Sequence, residues 1–144
     1  MILAIDPGSQ KTGIALVRED GSLFRKAVVP TEELGAHILR AMDGNEVRAV
    51  VMGNGTRHKE LKALVEEALK KGGYSIAVSL VDEKYTTEMG TQRYWACNPP
   101  KGWARFLPKG FRTVPGPVDD YVAWVIGQIY LGIVKAEDAG HKKV

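Results

Sequence analysis

Short apolar runs separated by glycine, proline and acidic turns set the rhythm of this chain. Residues 2–6 (Ile-Leu-Ala-Ile-Asp) read as a buried strand that ends on an acid, and Pro7-Gly8 forces a turn there. Residues 13–18 read as a second strand. Glu19-Asp20-Gly21-Ser22 carries the Asp-Gly hairpin signal, and residues 23–29 form a third strand closed by Pro30. Thr31 reads as a helix N-cap, with Glu32 and Glu33 in the first turn and the helix stopping at Asp43-Gly44. Residues 47–52 are continuously apolar enough for a strand covered on both faces. Leu61, Leu64, Val65, Ala68 and Leu69 repeat at helical spacing and are closed by Lys70-Lys71-Gly72-Gly73. A fifth strand spans 75–81 and a short helix 87–95. Residues 98–117 form a loop with five of the seven prolines, a final helix runs over 118–135, and the tail 136–144 is polar.

This order, β-β-β-α-β-α-β-(α)-loop-α, predicts an α/β domain. Three strands joined by short turns form an antiparallel meander. Two helix-connected strands then add in parallel through right-handed crossovers. The result is a mixed five-stranded sheet with helices on both faces. No repeat or linker divides the chain, so residues 1–144 read as one domain. Sites in such sheets collect near the carboxyl ends of the parallel strands.

Composition narrows the class without choosing a function. The chain has 144 residues, 44% hydrophobic and 26% charged, which is ordinary for a globular protein. A net charge of +3 permits a nucleic-acid partner without arguing for one. The single cysteine, Cys97, allows no internal disulfide and fits a reducing compartment. No run approaches the ~20 apolar residues of a membrane span, and no signal peptide is visible, so a cytoplasmic setting without membrane contact is expected.

Three acids stand at element ends: Asp6 after strand one, Glu83 after strand five, and Asp119 at the start of the last helix. With strand one central, these ends converge on one sheet edge. Carboxylates that close repel unless a cation lies between them, so the cluster predicts a Mg2+ or Mn2+ site. Two such metals can drive in-line attack of water on a phosphodiester. Each acid has an ordinary alternative as a turn or cap residue. The apolar stripe Val118, Val122, Val125, Ile129 and Ile133 places Asp119 toward the sheet and Asp120 toward solvent. Lys84, Thr86 and Thr87 follow Glu83 and suit a phosphate, although a threonine there also suits an N-cap. Lys11, the Gly53-Asn54-Gly55-Thr56 turn and His58 are further neighbours of the same edge.

Charge distribution says more than net charge. From Met89 through Val118 there is no acid. The stretch holds Arg93, Lys101, Arg105, Lys109 and Arg112, interleaved with Tyr94, Trp95, Trp103, Phe106 and Phe111. Basic groups neutralise phosphates and aromatic faces stack on unpaired bases, so the stretch suits DNA or RNA. Its alternative is a proline-braced loop anchored by its own aromatics.

The segment Ile5-Asp6-Pro7-Gly8-Ser9 with Gly13-Ile14-Ala15 resembles the first metal-acid motif of the YqgF (RuvX-like) family of the ribonuclease H-like superfamily, and that of the RuvC resolvases. Asp82-Glu83-Lys84-Tyr85-Thr86-Thr87 resembles that family's Asp-Glu-Arg-x-Thr-Thr motif. Val118-Asp119-Asp120-Tyr121-Val122-Ala123 resembles its Val-Asp-x-x-Ala-Ala motif. The resemblance implies a ribonuclease H-like fold, with Asp6, Glu83 and Asp119 as catalytic metal ligands. It implies a role as a Holliday-junction resolvase or a nuclease processing pre-16S ribosomal RNA. A junction resolvase needs two active sites, which a homodimer would supply. Two departures stand out. The Gly53-Asn54-Gly55-Thr56 turn lacks the proline and nearby acid usual in that family, and residues 96–117 are longer and more aromatic.

Two readings compete: a metal-dependent nuclease on branched DNA or precursor RNA, and a nucleic-acid-binding module of the same fold without catalysis. A third comes from the sugar-kinase and actin-type ATPases. Those need two such domains, and this chain supplies one.

Overall fold

The computed structural model describes residues 1–55, 57–82, 84, 86–99 and 116–133. Strands β1 (Ile2–Asp6), β2 (Lys11–Val17), β3 (Leu23–Pro30), β4 (Ala49–Gly53) and β5 (Val78–Val81) form one sheet in the order β3-β2-β1-β4-β5. The first three pair antiparallel, and β4 and β5 add in parallel. β1 is therefore central, as the connection lengths predict. Helices α1 (Leu34–Met42), α2 (His58–Lys71), α3 (Thr86–Cys97) and α4 (Asp119–Tyr130) complete the fold.

Alternation along β1 divides the core in two. Leu3 and Ile5 face α1 and α2, where Leu34, Ile38, Leu61, Val65 and Leu69 close a layer of large side chains. Ile2 and Ala4 face the other way, with Ala15 and Val17, and meet Val122, Ala123 and Ile126 of α4. Alanines are interspersed with valine and isoleucine on this second face, whereas the first has none among its buried residues, and α4 lies close to the sheet. A Cβ on Gly127 would stand 2.8 Å from Val17 Cγ2 and 3.3 Å from Ala4 Cβ. α3 packs outside α4 through Met89 and Val125.

Several boundaries differ from the sequence expectation. The fifth strand begins at Val78, and the residues before it connect rather than pair; Tyr74 and Ile76 still pack on the core. The last helix ends at Tyr130 because Gly132 takes φ 78° and the Ile133 N–H bonds back to the Gln128 carbonyl. Thr31 opens a 3-10 turn (Thr31–Glu33) without capping it by its side chain. Cys97 is exposed and unbridged. No described helix is long and apolar enough to cross a membrane.

Where α3 crosses α4, a Cβ on Gly90 would lie 2.6 Å from Val122 Cγ2 and 3.0 Å from the Val122 backbone nitrogen. The backbone cannot yield as a side chain can. Gly90→Ala gains at most about 1 kcal/mol of helix propensity and costs about 1–3 kcal/mol of overpacking. A lower urea midpoint with an unchanged slope is the expected result.

Candidate active site

The sheet register lines up one edge. Ile5 stands opposite Met52, and Met52 opposite Leu80, so Asp6, Gly53 and Val81 follow at the same level. The Asn54 N–H then donates to the Val81 carbonyl at 3.0 Å and ties the β4 and β5 ends together. On the other side Asp6 pairs with Gly13 of β2. A Cβ on Gly13 would overlap the Asp119 carbonyl and stand 2.8 Å from the Asp120 nitrogen. The missing side chain therefore lets the first turn of α4 rest on the strand beside Asp6.

The consequence is a carboxyl pair. The side chains of Asp119 and Asp6 come within interaction range of each other. Burial raises the pKa of Asp119 above the ordinary carboxylate range, and the neighbouring Asp120 charge adds to the rise. Lys11 and the Asp6 hydrogen bond pull the other way. Lys11 itself is exposed at the start of β2.

Two buried threonines hold the loop after Asp6. The Thr31 hydroxyl donates to the Gly8 carbonyl at 2.8 Å and lies 2.8 Å from the Thr12 hydroxyl. Its one proton is then committed, so Thr12 donates to Thr31. The Gly8 N–H closes the ring by donating to Thr12 Oγ1 at 3.4 Å. The Thr31 N–H also donates to the Gln10 carbonyl at 2.8 Å. Arg57 reaches the same loop from the β4–α2 connection. It donates to the Ser9 carbonyl at 3.3 Å and to Glu60 Oε2 at 2.8 Å. His58 Nδ1 lies 2.8 Å from the Gly55 carbonyl, which can only accept, so Nδ1 donates.

Asp120 corrects one expectation. It is buried, not solvent-facing, and Lys26 Nζ of β3 donates to its Oδ2 at 2.7 Å. The apolar stripe suggested a solvated far side, but α4 is enclosed by the sheet and α3 and has none at this level. Burial opposes the Lys26 ammonium, yet the Asp120 hydrogen bond and charge prevail and raise its pKa.

Other candidates divide. Thr86 is 2% exposed at the first position of α3, so it presents no free surface to a nucleic acid. Arg93, expected at a nucleic-acid contact, engages α4 instead of projecting freely: its guanidinium donates to Gln128 Oε1 at 2.7 Å and lies over the Trp124 ring. Trp95 is half-buried, edge-on to Tyr94 at 5.1 Å. Lys84 is exposed, and its N–H donates to Asp82 Oδ1, so Asp82 serves as a turn residue. Glu83, Lys101, Trp103, Arg105, Lys109 and Arg112 lie outside the described residues. Among the described residues no group of three or more metal-binding side chains converges. Sequence reasoning missed Thr12, Lys26 and Arg57. The one available signal was a lysine in phase with Phe24 and Val28 on β3.

The family model for the Tex protein YqgF-like domain matches residues 1–97, and the chain belongs to that family. The match stops before the segment that carries Asp119. The structure of RuvC from Thermus thermophilus is similar over 87% of this chain and 88% of that one, with 16% identity and a TM-score of 0.50. The two share the mixed-sheet architecture. A ROK family glucokinase from Streptomyces griseus is similar over 68% of this chain but only 38% of its own, with 21% identity and a TM-score of 0.43. Comparison with curated proteins gives no match.

The raised Asp119 pKa has a signed consequence for stability. The folded state binds this proton more tightly than the unfolded state, so ionised Asp119 costs stability above its folded pKa. That cost disappears as pH falls below the unfolded value. Without divalent cations, Asp119→Asn should raise Tm at pH 7.5, and the gain should shrink to nothing near pH 3. Calorimetric scans across this range check it.

Proposed function

We propose that this chain is a metal-dependent nuclease acting on structured nucleic acid, with Asp6 and Asp119 at its centre. The observation that carries the reading is the approach of these two carboxyls at the end of the central strand. Two carboxyls brought together in partial burial, one of them with a raised pKa, have the donor chemistry of a hard divalent cation site, Mg2+ or Mn2+. Asp6 and Asp119 would hold the cation, with Glu83 as the third ligand on the strength of its motif. When bound, the cation supplies Lewis acidity toward the phosphodiester and the attacking water.

The chain's own groups have separate tasks. The central strand fixes Asp6, and the Gly13 shelf fixes the backbone of Asp119. The threonine ring holds the Pro7–Gln10 loop in place beside the pair. Lys11, Lys84 and Arg57 give the rim positive charge for phosphates on either side. The acid-free segment with Lys101, Trp103, Arg105, Lys109 and Arg112 is the proposed contact for bases and backbone farther out. Family membership and the RuvC-like architecture agree with a nuclease. The substrate, branched DNA or precursor ribosomal RNA, and assembly into a homodimer belong to the proposal.

A second reading has its own support. The β4 end offers Asn54, not an acid, so the site is poorer in carboxylates than the resemblance implies. A binding module that has lost catalysis would look the same there.

Cleavage of labelled four-way junction DNA, single-stranded DNA and structured RNA with Mn2+ or Mg2+ tests the choice. Asp6→Asn should lower a metal-dependent rate by about 1000-fold or more, equivalent to about 4 kcal/mol. Absence of cutting, together with salt-sensitive binding that survives Asp6→Asn, would replace the nuclease with the binding module.

A further inference from the structure

We propose that Lys26, on edge strand β3, is a positioning residue for the acid pair: it holds the first turn of α4 in place and so sets Asp119 beside Asp6. The inference rests on the reading of Asp6 and Asp119 as the working pair.

The argument begins with what α4 lacks. Its N-cap residue, Val118, makes no side-chain cap hydrogen bond. Helix first turns carry unsatisfied N–H groups and fray unless something ties them. Here Asp120 accepts the Tyr121 N–H locally, and the tie that anchors this turn to the sheet is tertiary. Gly13 provides a surface under Asp119 but no grip, because it has no side chain. Lys26 provides the grip from the adjacent strand. It pairs in register with Ala15, two residues from Gly13 on the same face, and passes over that small side chain to reach α4.

The contact has several partners. Lys26 Nζ donates to Asp120 Oδ2 at 2.7 Å and stands 4.3 Å from the Tyr121 ring centroid. The other Asp120 oxygen accepts the Tyr121 N–H at 3.0 Å. The Tyr121 hydroxyl accepts from Asn98 Nδ2 at 3.0 Å, and its ring meets Tyr94 edge-on at 5.5 Å. Lys26 thereby fastens β3 to the start of α4 and to the end of α3. A shift of Asp120 moves Asp119 with it, since the two are consecutive on a rigid turn.

The test has one arm with metal and one without. Manganese binding is followed by EPR for wild type, Lys26→Met, Lys26→Arg and Val65→Ala; the last loosens the opposite core face. Lys26→Met should weaken Mn2+ binding at least about tenfold, Lys26→Arg should restore most of it, and Val65→Ala should leave it unchanged despite a lower Tm. In the metal-free arm, Asp6→Cys and Asp119→Cys are joined in a Cys97→Ser background, and the oxidant-driven disulfide rate is measured with and without Lys26→Met. A slower rate without Lys26 supports positioning whether or not Mn2+ binds. Failure of wild type to bind Mn2+ would count against the metal reading alone. Equal disulfide rates with and without Lys26, or no disulfide in either, would overturn the positioning role.

Discussion

The contact on which this molecule turns is backbone against backbone: the first turn of α4 on Gly13. Any side chain at Gly13 would occupy the space of the Asp119 carbonyl. Because Gly13 is the register partner of Asp6, this approach brings two carboxyls together. Nothing local favours such a meeting. Like charges at short range repel, and partial burial removes the water that would screen them. The surrounding structure must therefore hold the pair against its own electrostatics.

The two faces of the sheet share that work unequally. Leu3, Ile5, Leu34, Ile38, Leu61 and Leu69 are fully or nearly fully buried on the α1–α2 side. Each contributes about 1.5–3 kcal/mol of burial relative to exposure. The α4 side intersperses Ala4, Ala15, Ala123 and Gly127 among its valines and isoleucines, which trades apolar area for closeness. One face supplies stability and the other supplies approach. This division explains why α4 carries the acids and α1 and α2 carry none of the candidate ligands.

What was legible in the sequence follows the same division. Strand order, the central place of β1 and the meeting of Asp6 with Asp119 follow from connection lengths and element ends, which are local signals. The side-chain facts at the start of α4 are tertiary. The stripe through Val118 and Ile133 predicts a solvent-facing Asp120, whereas Lys26 of β3 covers that side of the helix. Thr31 has the chemistry of an N-cap and spends it on Gly8 and Thr12, 23 and 19 residues away. Arg93 belongs to a basic, aromatic run yet points into the α3–α4 seam. A residue type announces the bonds it can make, but not which partner the fold will bring near.

Asp119 and Asp120 show how adjacent identical residues acquire different tasks. One step along a helix turns a side chain through about 100°, and here that step separates the sheet edge from the edge strand. Asp120 meets Lys26 and becomes part of the scaffold. Asp119 meets Asp6 and keeps a raised proton affinity, with Lys11 as its nearby counter-charge. In the proposed reading a divalent cation would neutralise both carboxylates at once, where a proton neutralises only one. The Lys26 pairing would then keep Asp120 out of that coordination.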